Sequence, residues 1–275
     1  MSLSVVRHPA VAGRFYPGNA ADLRAEVKSY LALAEPANQP PIPAIGCIAP
    51  HAGYVYSGHV AGAVFSAIEV PERCVVLCPN HTGMGTPLAI MGEGAWETPL
   101  GQVPLDTELA VALEQCFPAL HEDSAAHRAE HAIEVELPFL QSRQPALQFV
   151  PIAVGTGQLD ALEALGLALA EVISRQKDRI LIVASSDMNH YESDAVTRIK
   201  DHQAIERVLS LDPRGLHEVV LQRNVSMCGF GPAVAMLTAA RALGATSAAL
   251  VKYATSGDVS GDRNLVVGYA GIVIH

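Results

Sequence analysis

Three short apolar runs constrain the fold of this chain more than any other feature. They cover residues 45–49, 73–79 and 179–185, are rich in Val, Ile, Leu, Ala and Cys, and are bounded by Pro or Ser. Short apolar runs bounded in this way are typical of buried strands. Between them lie longer segments in which apolar residues recur with the period of a helix, so strand and helix alternate along the chain. This alternation predicts an α/β protein with three αβα layers, in which helices cover both faces of a central, mostly parallel sheet.

A polar side chain follows each run, where the chain enters a loop. His51 follows the first run, His81 the second, and Asp187 and His190 the third. One histidine after one strand more often caps a turn than forms a site, but here three strand ends repeat the pattern. In open α/β sheets, ligands bind outside the carboxyl ends of the strands. If the three strands are neighbours, we expect these side chains to converge at one edge of the sheet.

Local signals also divide the rest of the chain into helices and loops. Asn19 is predicted to cap a helix, and a Pro-rich linker follows at residues 35–43. Ser57 or Gly58 is predicted to open the next helix, because a new apolar period starts there. A further helix is predicted over residues 130–141. The type of each element follows from its apolar periodicity.

Cys228 differs from the other cysteines of the chain. It lies in the segment VSMCGFGP, directly before a helix that is predicted to begin at Phe230. Unpaired amides and the dipole at a helix N-terminus lower the pKa of a thiol, and a thiolate can act as a nucleophile or a metal ligand. From position alone, a cysteine in a tight glycine turn without a function is equally compatible. Cys47, Cys74 and Cys78 lie in apolar runs and are predicted to pack as small core residues.

Composition and charge exclude several classes of protein. With 275 residues and 50% hydrophobic composition, the chain can form one large α/β domain or two small ones. A net charge of −10 and the lack of Lys/Arg runs argue against a nucleic-acid partner. The apolar stretches are too short to cross a membrane. We find neither a targeting segment nor disulfide-scaffold spacing among the five cysteines, which indicates a cytoplasmic location.

Several ordered motifs resemble those of a known family. The segments PHAGYVYSGH, CPNH, EHAIEVELPFLQ, SSDMNH and SMCGFGP are similar, in that order, to the motifs of the MEMO family. The opening VAGRFYPG and the closing SGDVSGD and VVGYAGIVI resemble its bacterial and archaeal branch. The resemblance runs from about Val5 to His275 and implies a single MEMO-like domain over residues 4–275. It also implies a fold similar to that of the class III extradiol ring-cleaving dioxygenases.

The resemblance implies a metal site. In the extradiol dioxygenases, two histidines and one carboxylate hold Fe(II) and leave positions open for O2 and the catechol. In the MEMO family the matching positions are His, His and Cys, which fall at His51, His81 and Cys228 of this sequence. A divalent metal is therefore expected, with Fe(II) first by resemblance. A thiolate is a softer ligand than a carboxylate, so zinc and copper remain open as well.

The same resemblance assigns roles around the metal. It implies that His190 acts as an acid/base on the substrate hydroxyl, a task for which a histidine suits near neutral pH. Asp187 could orient His190, accept its N–H or complete the metal shell, although capping of a helix is the simpler alternative. His131, Glu134 and Tyr54 are expected to line the pocket and contact the substrate. His131 and Glu134 also have a metal-binding spacing on one helix face, but they lack a third ligand.

Three functions remain open from the sequence. The first is a non-haem iron, dioxygenase-like oxidoreductase acting on a small organic molecule. The second is a zinc-type hydrolase, in which the metal acidifies bound water. The third is a non-enzymatic protein that binds a metal or a peptide in a redox or signalling role. The family resemblance adds radical-SAM and AMMECR-type proteins as expected partners.

Overall fold

The structure is a computed structural model that describes residues 5–34 and 40–275. Residues 35–39 of the predicted Pro-rich linker lie outside the described residues. The elements follow in chain order: β1 (Val6–Arg7), α1 (Ala20–Ala34), β2 (Ile42–Pro43), β3 (Gly46–Ala49), α2 (Tyr54–Ala67), β4 (Ile68–Glu69), β5 (Arg73–Pro79), β6 (Leu88–Ile90), β7 (Ala95–Thr98), β8 (Gly101–Pro104), α3 (Thr107–Cys116), β9 (His121–Glu122), α4 (Ala125–Arg128), α5 (Ala132–Arg143), β10 (Gln148–Val154), α6 (Leu159–Ser174), β11 (Ile180–Ser185), β12 (His190–Glu192), α7 (Asp194–Leu209), α8 (Pro213–Gln222), α9 (Phe230–Ala242), β13 (Ala248–Thr255), α10 (Gly257–Ser260) and β14 (Val266–Ile274).

A large, mostly parallel sheet lies at the centre of the molecule. Within the described ranges it has nine strands, in the order β12-β14-β3-β11-β5-β10-β6-β9, with β13 paired to β14. The four central strands β3, β11, β5 and β10 are parallel to their neighbours within that group. β14 and β6 flank this group and run antiparallel to it. The predicted central, mostly parallel sheet is therefore confirmed.

Helices cover both faces of this sheet, as the strand sequences require. Along β5, Val75 and Leu77 pack in the apolar cluster on one face, whereas Cys74, Val76 and Cys78 pack in the cluster on the other. This alternation follows from the two-residue period of a strand. Helices α3 and α6–α9 supply the first cluster, and helices α1, α2 and α5 supply the second. Strands buried on both faces explain why the three runs are apolar throughout rather than alternating.

The sheet order brings the three apolar runs of the sequence side by side. β11 lies between β3 and β5 and is parallel to both, with Ser185 opposite Ala49 and Ala184 opposite Leu77. The loops that follow the three strands therefore leave the sheet at the same edge. This arrangement positions the candidate site.

Helix α2 begins earlier than the sequence predicts. Its N-cap is Gly53, so the helix starts four or five residues after the end of β3 rather than at Ser57 or Gly58. The predicted start was placed too late because Gly58 is a packing glycine rather than a helix breaker. A Cβ at Gly58 would lie 2.5 Å from Cε2 of Tyr30, which packs against α2 from α1. Close helix packing, rather than a turn, accounts for this glycine.

No helix in the described part of the chain is both long and apolar enough to cross a lipid bilayer.

Candidate metal centre

A cavity of about 540 Å³ opens where β3, β11 and β5 end. Its lining includes the four polar residues that follow these strands, His51, His81, Asp187 and His190, and also Cys228. The loops of three neighbouring strands and the segment before α9 thus meet at one place. The structure brings together the residues that the sequence pattern assigned to a common edge.

His51, His81 and Cys228 form a group that could hold a metal ion. One ligand atom from each lies within 4.8 Å of the others, and Sγ of Cys228 is 3.4 Å from Nε2 of His51. The two imidazole rings are 5.2 Å apart between centroids and meet edge to face. A metal with bonds of about 2.0–2.3 Å holds its ligand atoms about 3–4 Å apart, which is close to the spacing of these three atoms.

His51 is held rigidly at the floor of the cavity. Its backbone N–H donates to Oδ1 of Asp187 at 2.9 Å, and its Nδ1 lies 2.8 Å from Oγ of Ser185. The side chain is buried, and this burial lowers the pKa of His51 well below its ordinary value, with the neighbouring histidines adding to the effect. When Nδ1 of a neutral imidazole is held in a hydrogen bond, Nε2 keeps a free lone pair. This is the form in which a histidine binds a metal.

His81 is oriented by a buried carboxylate that the sequence did not single out. Glu130 accepts the backbone N–H of His81 at 2.6 Å through Oε2 and lies 2.8 Å from its Nδ1 through Oε1. Burial lowers the pKa of His81, but the hydrogen bond and charge of Glu130 outweigh it, so the pKa is raised overall. Carboxylates that orient metal-binding histidines in this way are a common feature of metal sites. The local signal was weak, since Glu130 is one of several acids in EHAIEVELP.

We do not interpret Glu130 as a metal ligand, although its carboxylate forms a second group of possible ligand atoms with His81 and His131. Its Oε1 also accepts the backbone N–H groups of His131 and Ala132, at 2.9 and 3.1 Å. A carboxylate already saturated by four N–H donors has little capacity left for an ion. We therefore interpret Glu130 as the residue that fixes the loop and the ring of His81.

Cys228 is in place, but its thiol is not acidified as the sequence suggested. Burial raises the pKa of Cys228, and the carboxylate of Asp187 raises it further. Hydrogen bonds from the turn, including the amide of Gly229 at the start of α9, act in the opposite direction but are weaker. The expectation from the helix N-terminus was wrong because desolvation outweighs the amides. Deprotonation of this thiol would therefore depend on a cation beside it.

Asp187 and His190 have separate partners. Asp187 accepts the backbone N–H of His51, and its pKa is raised to about 6 because it is buried. Nδ1 of His190 lies 2.8 Å from the carbonyl oxygen of Ser226, so this nitrogen donates and Nε2 remains free. The hydrogen-bond partner of Nδ1 of His190 is thus Ser226, whereas His190 and Asp187 interact through charge, which partly offsets the effect of burial on the pKa of Asp187. Asp187 instead fixes the loop that carries His51.

His131 lines the cavity beside the metal-binding group. Its ring stacks on that of His81 at 4.7 Å and lies 5.4 Å from that of His51, edge to face. Burial lowers the pKa of His131. The position agrees with a side chain that contacts a ligand in the cavity.

Glu134 and Tyr54 lie outside the cavity lining, which corrects their expected role in substrate contact. Glu134 is fully buried, pairs with Arg7 and accepts the hydroxyl of Tyr16 at 2.6 Å. It fastens the N-terminal segment to α5. Tyr54 is 1% exposed and donates its hydroxyl to the carbonyl oxygen of Val135 at 2.8 Å. Both belong to motifs that resemble the family, but their side chains point into the core.

Tyr191 is a cavity residue that the sequence gave no reason to select. It is 72% exposed and has a φ of 59°, which an aromatic residue seldom adopts. It lies in β12, where the pairing with β14 is irregular between His190 and Glu192. Bulges of this kind often re-aim a side chain next to a functional site.

Fold and site together define the class of this chain. It is an α/β protein in which one sheet edge presents two imidazoles and a thiol at the floor of a cavity. Residues 7–273 match the family described as Memo-like protein. The chain therefore belongs to the Memo-like protein family.

Similar proteins support this assignment. A MEMO1 family protein of Methanopyrus kandleri is 43% identical over 277 residues, covering 97% of this chain and 98% of that protein. A MEMO1 family protein of Methanosarcina barkeri is 41% identical over 270 residues, covering 98% and 100%. Among solved structures, an uncharacterized protein of Escherichia coli K12 matches with a TM-score of 0.51 at 12% identity, covering 83% of this chain and 98% of that one. This last likeness shows the fold alone.

Proposed function

We propose that this protein binds one divalent metal ion through His51, His81 and Cys228, and that it is a dioxygenase-like oxidoreductase acting on a small organic molecule. The observation that carries the proposal is the group of three donor atoms within 4.8 Å of one another at the floor of a 540 Å³ cavity. A cavity of this size accommodates a small ligand directly above the donors.

The donor chemistry fits a metal. Burial favours the neutral imidazole of His51, and Glu130 engages Nδ1 of His81, so each ring has one free nitrogen. Two neutral imidazoles and a thiolate would leave a divalent ion with a net charge of +1 and with open coordination positions. A bound ion would supply Lewis acidity and, if redox-active, electron transfer.

The other cavity residues would handle the ligand. The hydrogen bond from Nδ1 of His190 to Ser226 leaves Nε2 free to accept a proton from a ligand hydroxyl and to return it later. Asp187 holds the backbone of His51 in place. His131 and Tyr191 form part of the cavity wall and would contact the body of the ligand.

The thiolate ligand also supports a second candidate function. Fe(II) is the first candidate by resemblance to the extradiol dioxygenases, but a donor set of two imidazoles and one thiolate suits zinc equally well. With zinc, hydrolysis of a small substrate becomes the alternative activity. Metal analysis of protein purified without chelators separates the two. Oxygen uptake with a panel of catechols tests the first, and ester hydrolysis after zinc loading tests the second.

The metal site itself is tested by titration. We expect His51→Ala, His81→Ala and Cys228→Ser each to weaken metal binding at least about tenfold, or roughly 1.4 kcal/mol, because each removes one donor. His121→Ala is the matched control, since that histidine is exposed on β9 and far along the sheet from the cavity. Unchanged affinity in all three site variants would contradict the metal site. A non-metal binding role would then be the better account.

A further inference from the structure

One buried arginine of the N-terminal segment contacts the stretch of chain that carries Glu130. Arg7 lies on β1 and is 6% exposed. Its Nε donates to the carbonyl oxygen of His127 at 3.1 Å, and its Nη2 donates to the carbonyl oxygen of Glu130 at 2.5 Å. Its third nitrogen, Nη1, pairs with the carboxylate of Glu134. The proposed function assigns no role to Arg7.

A guanidinium is suited to this position because it meets three acceptors through three different nitrogens. Its plane is also held by Trp96, whose ring centroid lies 4.4 Å from Cζ of Arg7. In the described part of the chain, the carbonyl oxygen of Glu130 accepts no hydrogen bond from a main-chain N–H, so Arg7 is its donor. A buried carbonyl that loses its donor is costly, and the peptide group would turn to find another.

The backbone of Glu130 matters because its side chain holds a proposed metal ligand. The carboxylate accepts the backbone N–H of His81 at 2.6 Å and lies 2.8 Å from Nδ1 of the same residue. A turn of the peptide group at Glu130 would shift this carboxylate and the ring of His81 with it. Metal–ligand distances tolerate errors of only about 0.2 Å, so a small shift of the ring is enough to weaken binding.

We propose that Arg7 is a positioning residue of the metal centre: by holding the carbonyl of Glu130 in place, it fixes the carboxylate that orients His81. The N-terminal segment then takes part in building the site, although Arg7 itself does not face the cavity. The effect on metal affinity rests on the proposed function, whereas the position of Glu130 is a property of the metal-free protein.

Two variants cut different contacts of Arg7. Arg7→Lys keeps a positive charge for Glu134, but its single nitrogen is drawn to that carboxylate, and the carbonyl of Glu130 loses its donor. Glu134→Gln removes the ion pair and leaves the guanidinium on that carbonyl. If Arg7 served only stability, metal affinity would follow the stability of each variant. If Arg7 positions Glu130, Arg7→Lys weakens metal binding and Glu134→Gln does not.

Arg73→Lys is the matched control. Arg73 also uses the fork of its guanidinium, with Nε and Nη2 on Asp106 and Nη1 on Gln176. It lies at the start of β5, whereas His81 follows the end of that strand. Arg73→Lys should therefore lower stability and leave the metal centre unchanged.

A double variant guards against failure of Arg7→Lys to fold. Arg7→Met combined with Glu134→Gln leaves no unpaired charge in place of the ion pair, and the loss of a buried pair as a whole costs less than the loss of one partner. The carbonyl of Glu130 still lacks its donor in this variant. We therefore expect it to reproduce the effects of Arg7→Lys on the metal centre.

The two readouts are hydrogen exchange of the His81 amide in metal-free protein and metal titration. We expect Arg7→Lys and the double variant to speed exchange of this amide at least about tenfold, with Arg73→Lys and Glu134→Gln within about threefold of wild type. Metal affinity should fall about tenfold in the first two variants and stay within about threefold in the other two.

The outcomes are distinguishable from failure of the metal site. If the wild type binds no metal, the proposed function is lost, and exchange of the His81 amide alone decides the role of Arg7. The inference is overturned if Arg7→Lys, or the double variant in its place, keeps wild-type exchange of this amide or keeps the affinity of a metal-binding wild type. It is also overturned if Arg73→Lys or Glu134→Gln weakens metal binding as much, because the loss would then follow stability.

Discussion

Tyr191 illustrates how the backbone of one residue shapes the cavity. In a regular strand, successive side chains point to opposite faces of the sheet. His190 and Tyr191 nevertheless both line the cavity, because Tyr191 has a φ of 59° and the pairing of β12 with β14 is interrupted there. A non-glycine residue in this region costs about 1–2 kcal/mol. The fold tolerates this strain and thereby places an exposed ring at the mouth of the cavity.

Tyr191→Asn tests this interpretation. Asn tolerates the left-handed region, so we expect the free energy of unfolding to stay unchanged or to rise by up to about 1 kcal/mol despite the loss of the ring. Binding of a cavity ligand should weaken at the same time. Tyr56→Asn is the control, since Tyr56 is 39% exposed but helical, and should lose a few tenths of a kcal/mol. A clear loss of stability in urea unfolding of Tyr191→Asn would argue against stored strain.

The sequence identifies the polar residues that follow the strands, but not the residues whose hydrogen bonds hold those side chains in place. His51 and His81 were predictable because an apolar run ended directly before each. Glu130 and Ser185 act through hydrogen bonds to side chains far along the chain, for which no local spacing exists. The pKa of Cys228 was misjudged for a related reason, because desolvation depends on the packing of distant segments.

At the scale of elements, the contact between α1 and α2 depends on small residues. A Cβ at Gly62 would lie 2.7 Å from the backbone carbonyl carbon and oxygen of Tyr30, whereas the three atoms nearest to a Cβ at Gly58 all belong to the Tyr30 ring. Both glycines lie within α2, where glycine is otherwise unfavourable by about 1 kcal/mol relative to alanine. The close approach of α1, rather than helix propensity, therefore explains why glycine occupies these two positions.

These two glycines give a matched pair of substitutions. Gly62→Ala should destabilise the protein by about 1–3 kcal/mol, because the backbone of α1 must move to admit the methyl group. Gly58→Ala should cost less, since the Tyr30 ring can rotate away. The measurement is urea unfolding of both variants against the wild type. Equal or greater stability of Gly62→Ala would show that α1 can shift without loss of packing.

The predicted helix and strand types followed from periodicity, whereas the direction of each side chain within a buried helix could not be predicted. The predicted helix over residues 130–141 corresponds to α5, which runs from Ala132 to Arg143. Its acids nevertheless take different directions. Glu134 pairs with Arg7 and Glu136 faces Ser185, because α5 is buried on more than one side. A helix without an exposed stripe offers no periodic signal from which to assign its faces.

At the scale of the whole molecule, a buried histidine makes stability depend on pH. His127 lies on α4 and is fully buried. Burial lowers its pKa to about 4 from the ordinary 6.5. As the pH falls from the ordinary pKa of histidine to the lowered one, the unfolded chain binds a proton at this residue, whereas the folded protein does not. Acid therefore favours unfolding, by roughly 3 kcal/mol from this residue alone.

His127→Gln should remove that part of the pH dependence. We expect its free energy of unfolding, measured in urea between about pH 7 and pH 4, to fall less steeply than that of the wild type. His202→Gln is the control, since His202 is an exposed residue of α7, and it should keep the wild-type slope. A His127→Gln curve parallel to the wild type would mean that the buried ring is protonated in the folded protein.

The wide separation of the three donors along the chain has a consequence for biosynthesis. Cys228 lies 177 residues beyond His51, and β14, which pairs directly with β3, ends at Ile274. A nascent chain on the ribosome therefore displays both imidazoles long before the thiol exists and before the sheet around them can close. Loops of this length close late in folding. On the proposed metal site, an ion would find all three donors only after synthesis has passed Cys228, and a product terminated before that residue would lack the thiol.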